Sequence, residues 1–146
     1  MRLTIEGRSD LLSVVRSWVQ STPAFRGLRG PDRELLTTTL YEVSANILEH
    51  GYRGDPAARL DLWWVPVGGD ACFVFQDDGA PFSANGWKGK DLDNPVVRRR
   101  GRGLGLEIIH RAMRDVSYHP GTPEGNLTCM TFTGSPASSK EVRHVG

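Results

Sequence analysis

The sequence predicts an α+β fold, a two-layer sandwich with helices packed on one face of a mixed, largely antiparallel sheet. Helical apolar patterns come first, and two strand-like runs follow, joined by Gly68-Gly69-Asp70. A glycine-rich helix start then leads to two further strand-like runs. With 146 residues, 38% of them hydrophobic and 24% charged, the chain fits one globular domain, which we assign to residues 1–133.

The chain begins with a predicted edge strand and a helix. Arg2–Glu6 alternates polar and apolar residues and ends at a glycine. Ser9 or Asp10 can cap the helix that follows, and we expect its Trp18 in the core.

The next helix organises the rest of the chain. Prolines and glycines break regular structure between residues 21 and 30, and Pro31-Asp32 opens the helix, with Asp32 as its cap. Gly51 is predicted to end it. Its apolar residues recur at the spacing of one helical face, which predicts packing on a core: Leu36, Leu40, Val43 and Ile47.

A hairpin and a long aperiodic segment follow. Residues 59–67 form a strand rich in aromatic and β-branched residues, and the nearly continuous apolar run 71–76 predicts a central strand. Residues 83–100 show no periodicity, and such a segment inside a compact domain is typical of a functional lid.

The last predicted elements are a helix from the glycines at 101–105 through Met113 and two strands. The strands cover 116–119 and 127–132, and residues 120–126 join them. The small, polar residues of 134–146 predict a disordered tail.

Charge and cysteine content exclude several classes of protein. The net charge of +1 provides no field for direct nucleic-acid or membrane binding. Cys72 and Cys129 lie in apolar strand-like runs, where we expect buried, reduced thiols. We find no signal peptide or membrane-spanning run and expect a cytoplasmic protein.

A polar stripe lies beside the apolar face of the organising helix. Glu42, Asn46 and His50 stand four residues apart, one turn above another. Glu42 could deprotonate an attacking hydroxyl, and Asn46 could offer Mg²⁺ an oxygen ligand. The same spacing is typical of an ordinary solvated face, and the helix dipole favours a histidine near a C-terminus without any ligand.

Two further segments carry polar or glycine-rich signals. Asp77 ends the predicted central strand, and its carboxylate would accept from an exocyclic amine such as adenine N6, although Asp-Asp-Gly is also common turn composition. The 101–105 glycines open a helix whose free N–H groups could receive phosphate, and arginines 98–100 could offset its charge. A glycine-rich turn needed only for tight helix–sheet packing explains the first feature equally well, and a basic run in a loop is more often simply solvated.

Together these segments resemble a known superfamily. In order and spacing, Glu42-x3-Asn46-x3-His50, Asp77-x-Gly79-x-Pro81-Phe82 and the glycine run at 101–105 are similar to the N, G1 and G2 boxes of the histidine-kinase-like (GHKL) ATPases, which include DNA gyrase and sensor-kinase ATP-binding domains. The proline in the second box and the short lid look most like the anti-sigma-factor serine/threonine kinases.

The resemblance implies a Bergerat-type ATP-binding fold, with ATP and Mg²⁺ bound between the helices and the lid. Glu42 matches the catalytic base and Asn46 the magnesium ligand. The other nucleotide-binding positions that the resemblance implies are His50, Asp77, Gly79, Pro81, Arg100, Gly101, Gly103, Leu104, Gly105 and Thr128.

The resemblance also implies an activity and partners. The expected reaction is transfer of the ATP γ-phosphate to a serine or threonine of a small anti-anti-sigma (STAS-type) protein. A sigma factor is the alternative partner, and relatives commonly form homodimers. Two alternatives stay open: a nucleotide-responsive binding module without kinase activity, and a stand-alone ATP-binding domain of a sensor histidine kinase.

Overall fold

A computed structural model describes residues 2–7, 10–52, 55, 57–81, 109 and 111–132. The lid, the glycine run and the tail of the sequence prediction lie outside these residues. The elements in chain order are β1 Arg2–Glu6, α1 Leu11–Gln20, α2 Pro23–Arg26, α3 Gly30–Tyr52, β2 Arg59–Val67, β3 Asp70–Asp77, β4 Met113–Thr122 and β5 Gly125–Phe132.

The five strands form one open sheet in the order β1-β2-β3-β5-β4. Each of its four pairings is antiparallel, so the α+β fold with a largely antiparallel sheet is confirmed, and the described strands contain no parallel pair. β3 lies at the centre and β1 at an edge, as predicted. The crossover places β5 beside β3, which brings residues distant in sequence side by side.

Side chains on one face of the sheet form the core with the helices. Strand residues alternate between the two faces, so Leu60, Leu62, Phe73 and Phe75 all point towards the helical layer. Trp18 on α1 meets Phe73 edge-to-face, with ring centroids 6.4 Å apart, which confirms its place in the core. Further core residues, each 0% exposed, are Ile5, Val15, Val19, Leu36, Leu40, Val43, Ile47 and Met130.

The helical segment differs from the prediction at three points. α3 begins at Gly30 and continues through Gly51 to Tyr52, so Asp32 lies in the first turn instead of capping it. Helix formation tolerates an internal glycine, and packing against the sheet compensates for its cost in entropy. The connection before α3 was predicted to be irregular, but it contains the one-turn helix α2, capped by Thr22, whose side chain accepts from the Phe25 N–H.

The predicted boundaries of the last hairpin were also wrong. Met113 belongs to β4 and not to the preceding helix, of which Ile109, Arg111 and Ala112 are described. The two strands extend to Thr122 and Gly125, which pair directly, so a two-residue turn replaces the predicted loop 120–126. Two register shifts along β4 interrupt the alternation of its side chains between the two faces of the sheet. For this reason the sequence pattern predicted only the middle of the strand, residues 116–119.

The two cysteines lie on the face of the sheet opposite the helices. Cys72 and Cys129 are both free thiols, as expected, but they are partly exposed, whereas the sequence predicted buried ones. Apolar strand runs can face either side of a sheet, and only the register decides which side is covered. No helix among the described residues is long and apolar enough to cross a membrane.

Candidate functional site

The polar stripe on α3 is not an ordinary solvated face. Asn46 is only 7% exposed, and Glu42, one turn earlier, is half-buried. Within the described residues neither side chain has a hydrogen-bond partner. Burial raises the pKa of the Glu42 carboxyl, which suits a group that must take up a proton. The backbone of His50 continues the helix, while its side chain lies outside the described part of the chain.

The C-terminal turn of α3 is joined to the turn that follows β3. The Ala80 N–H donates to the Gly51 carbonyl oxygen at 2.8 Å. Gly79 packs so closely against this end of the helix that a Cβ added to it would lie 2.7–2.9 Å from the O, C and Cα atoms of Gly51. The family resemblance implies that Gly79 is a nucleotide-binding position, where a glycine would let adenine approach. The structure adds a different reason for the glycine: a side chain at this position would collide with the backbone at the end of α3.

Tyr52 adds a second connection at the same place. Its hydroxyl donates to the Arg59 carbonyl oxygen at 2.6 Å and accepts from the Asp78 N–H at 2.8 Å. Burial is the main cause that raises the pKa of the Tyr52 hydroxyl. The last residue of α3 therefore bridges the beginning of β2 and the end of β3. Sequence reasoning did not assign this residue a role.

Asp77 is buried at the end of β3, and among the described residues only one of its carboxylate oxygens accepts hydrogen bonds. Its Oδ1 accepts from the Gly79 N–H at 2.9 Å and from the Asn126 Nδ2 at 3.0 Å. Its Oδ2 is buried and has no hydrogen-bond partner among the described residues. Burial raises the pKa of Asp77 most, the two hydrogen bonds oppose this, and the neighbouring Asp78 adds to the increase. A buried acceptor without a donor requires an explanation, and a ligand that donates to it would supply one.

Asn126 is a site residue that sequence reasoning missed. It lies opposite Asp77 in the sheet register and is 3% exposed. Its Nδ2 also donates to the Gly79 carbonyl oxygen at 2.8 Å, and its Oδ1 accepts from the Gly121 N–H at 3.0 Å. The neighbouring Gly125 has a φ of 101°, and a Cβ there would lie 2.5 Å from the Asp77 carbonyl oxygen. Its proximity to a turn was the only sequence signal for Asn126, and this is too common to be informative.

Thr128 lies on the helix-facing side of β5, as Asp77 does on β3. It pairs with Phe75, two residues before Asp77, and is fully buried. Its hydroxyl also lacks a partner within the described residues, as do Asp77 Oδ2, Ser44 Oγ and Trp18 Nε1. Two of these four unpartnered atoms, Asp77 Oδ2 and the Thr128 hydroxyl, therefore belong to diagonal positions on neighbouring strands, on the same face of the sheet. They form one polar patch in an otherwise apolar layer.

The axis of α3 leads away from this patch towards Asn46 and Glu42. Gly51 lies at the patch, because a Cβ there would be 3.5 Å from Asp77 Oδ1. With a rise of about 1.5 Å per residue, Asn46 lies roughly 7.5 Å and Glu42 roughly 13.5 Å along the axis from Gly51. An elongated ligand anchored at Asp77 could thus reach both side chains.

The remaining predicted positions divide into two groups. Pro81 is exposed after the Gly79 turn, with no described contact to the patch. The rest lie outside the described residues and stay predictions: Arg100, Gly101, Gly103, Leu104 and Gly105.

Comparison with known proteins identifies the family of this chain. The sequence profile of the histidine kinase-like ATPase domain matches residues 5–132, which is most of the chain. The chain belongs to the histidine kinase-like ATPase family. None of the curated proteins that were compared with it matches. Membership makes this ATPase domain an ATP-binding module of the GHKL type, and its sheet and helices agree with the ATP-binding fold of that superfamily.

The described residues of this ATPase domain fit the ligand that the family implies. The unpartnered Asp77 Oδ2 can accept from the adenine amine, and the Thr128 hydroxyl can donate or accept beside it. The buried carboxamide of Asn46 offers one neutral oxygen, which suits Mg²⁺ because that ion takes few protein ligands and retains water and phosphate oxygens.

Proposed function

We propose that this domain is an ATP-dependent serine/threonine protein kinase that phosphorylates a small anti-anti-sigma (STAS-type) protein and alternatively binds a sigma factor. It acts in the cytoplasm, and it can form a homodimer. The proposal goes beyond the family assignment, which by itself supports ATP binding.

The observation that carries the proposal is the placement of Glu42. It is half-buried on the helix whose end contacts Asp77, burial raises the pKa of its carboxyl, and none of the described residues forms a hydrogen bond with it. A module that only binds nucleotide has no need for a desolvated carboxylate at a distance from the base site. A protein kinase needs one to accept a proton.

The reaction assigned to this site is an in-line phosphoryl transfer. The hydroxyl oxygen of the acceptor serine or threonine forms a bond to the γ-phosphorus, and the bond from that phosphorus to the bridging oxygen of ADP breaks. Glu42 accepts the hydroxyl proton, and Asp77 holds the adenine so that the phosphates extend along α3. Mg²⁺, held by Asn46, would offset the charge of the phosphate oxygens.

Nucleotide binding is tested first, by calorimetric titration of the purified chain with ATP and with GTP in the presence of magnesium. Asp77→Asn replaces the free carboxylate oxygen with a donor, and we expect it to weaken ATP binding by about 1.5–3 kcal/mol, or roughly 10- to 150-fold. Asp78→Asn is the matched control, since this exposed neighbour has no assigned ligand contact. Equal losses in both variants would argue against Asp77 as the base-binding residue.

Phosphoryl transfer is tested next, with labelled ATP and candidate STAS-type proteins. We expect Glu42→Ala to retain ATP binding and to lose transfer, because Glu42 acts on the acceptor hydroxyl and not on the base. Acid-stable phosphoserine or phosphothreonine would support the proposal. Acid-labile phosphohistidine would indicate a sensor-kinase domain, and binding of a partner without transfer would indicate a sequestering module.

A further inference from the structure

The orientation of the Asn126 side-chain amide is determined by two backbone groups. The Gly121 N–H can only donate, so the atom that receives it is the amide oxygen, 3.0 Å away. The Gly79 carbonyl can only accept, so the atom 2.8 Å from it is the amide nitrogen. The second hydrogen of that nitrogen is therefore available to Asp77 Oδ1, at 3.0 Å.

We propose that Asn126 is the positioning residue of the adenine site, which holds Asp77 Oδ1 and thereby leaves Oδ2 as the acceptor for the exocyclic amine of the base. This inference rests on the proposed function, since it assumes that Asp77 binds adenine. Both residues are 3% exposed, so no bulk water competes for these hydrogen bonds. Asn126 also ties the Gly79 turn to the β4–β5 hairpin, which keeps the carboxylate from rotating.

The three contacts of Asn126 explain why this position needs a carboxamide. It supplies two donors and one acceptor at the same time, and no hydroxyl side chain can do so. A serine would retain one donor at most. An aspartate has the same shape and keeps the acceptor for Gly121, but when ionised it has no hydrogen for Asp77 or Gly79.

Asn126→Asp is therefore the decisive variant, measured as the full chain by calorimetry with ATP and magnesium. At alkaline pH we expect its affinity for ATP to fall about tenfold or more relative to the unchanged protein, and Asn126→Ser to show a smaller loss. Gln76→Leu is the matched control. It removes another side-chain amide bond to the same hairpin, to the Glu124 carbonyl oxygen on the opposite face, without contact to Asp77.

The pH dependence separates positioning from a purely structural role. In the unchanged protein, Asp77 must be ionised for its Oδ2 to accept a hydrogen bond from the adenine amine. Because the pKa of Asp77 is raised, ATP affinity falls as the pH falls through that raised value. In Asn126→Asp, two carboxylates about 3 Å apart cannot both ionise readily, and a shared proton restores the missing donor. ATP affinity of the variant should then fall as the pH rises. The described ionisable groups that act on Asp77, namely Asp78 and Tyr52, are the same in both proteins.

Opposite pH slopes, with Gln76→Leu behaving like the unchanged protein, support the assignment. If the unchanged protein binds ATP and Asn126→Asp binds it with the same affinity and the same pH slope, the positioning role of Asn126 is refuted while the proposed function stands. If Asn126→Asp does not fold, Asn126→Ser decides, because unchanged ATP affinity in that variant also contradicts the role. A well-folded unchanged protein that binds no ATP would overturn the proposed function and this assignment with it.

Discussion

Gly79→Ala most directly tests the contact between the end of α3 and the turn that follows β3. The added Cβ would lie 2.7–2.9 Å from the O, C and Cα atoms of Gly51, distances that real Cβ atoms essentially never show. These are backbone atoms of a helix that is packed on the core, so they cannot rotate away as a side chain would. The φ angle of Gly79 is not in the left-handed region, and the clash alone determines the cost.

Relief of this clash requires the end of α3 to separate from the turn, which breaks the Ala80–Gly51 hydrogen bond. Overpacking of this kind costs about 1–3 kcal/mol. For a chain of this size the melting temperature should fall by about 2–4 °C per kcal/mol. Because the same movement displaces Asp77 from α3, ATP affinity should fall as well.

Urea denaturation and calorimetric titration with ATP measure the two effects in parallel. Gly51→Ala is the matched control, since its Cβ would meet Asp77 Oδ1 at an ordinary 3.5 Å and alanine favours a helix. We expect that variant to be as stable as the unchanged protein or slightly more so. A Gly79→Ala protein that matches the unchanged one in both assays would refute the reasoning, as would a larger loss in Gly51→Ala.

Three further predictions follow from the same contacts. Tyr52→Phe removes two hydrogen bonds at exposed positions and should lower the free energy of unfolding by about 0.5–1.5 kcal/mol for each, since water can still reach both backbone groups. In urea denaturation Tyr41→Phe, whose hydroxyl has no bond to the described residues, should cost less. Asp77→Asn should bind ATP weakly yet be as stable as the unchanged protein at neutral pH, since it can keep both Oδ1 bonds without a buried charge. Burial raises the pKa of Asp77, so the contribution of this carboxyl to stability is greatest at acidic pH and is lost as the pH rises through the raised value. Denaturation across the acidic to neutral range should show this dependence in the unchanged protein and less of it in the variant. Finally, burial raises the pKa of the Cys129 thiol, so its alkylation, followed by mass spectrometry, should be slow at neutral pH and accelerate in alkaline solution.

The local sequence pattern was sufficient for the framework of the site. The helical spacing of apolar residues predicted the buried face of α3, and the apolar run of β3 predicted a central strand that ends at Asp77. These predictions succeed because the spacing of apolar residues indicates which side chains are buried, and the burial of apolar surface is the main driving force of folding.

Tertiary structure decided which polar residues cooperate. Asn126 and Asp77 are 49 residues apart in sequence, and only the pairing of β5 with β3 places the amide beside the carboxylate. The burial of Asn46 also depends on elements that pack around α3, so its spacing alone favoured a solvated face. Sequence determines the periodicity of each element by itself. The register and packing between distant elements, which depend on the whole chain at once, determine where a buried oxygen such as Asp77 Oδ2 is left without a partner among the described residues.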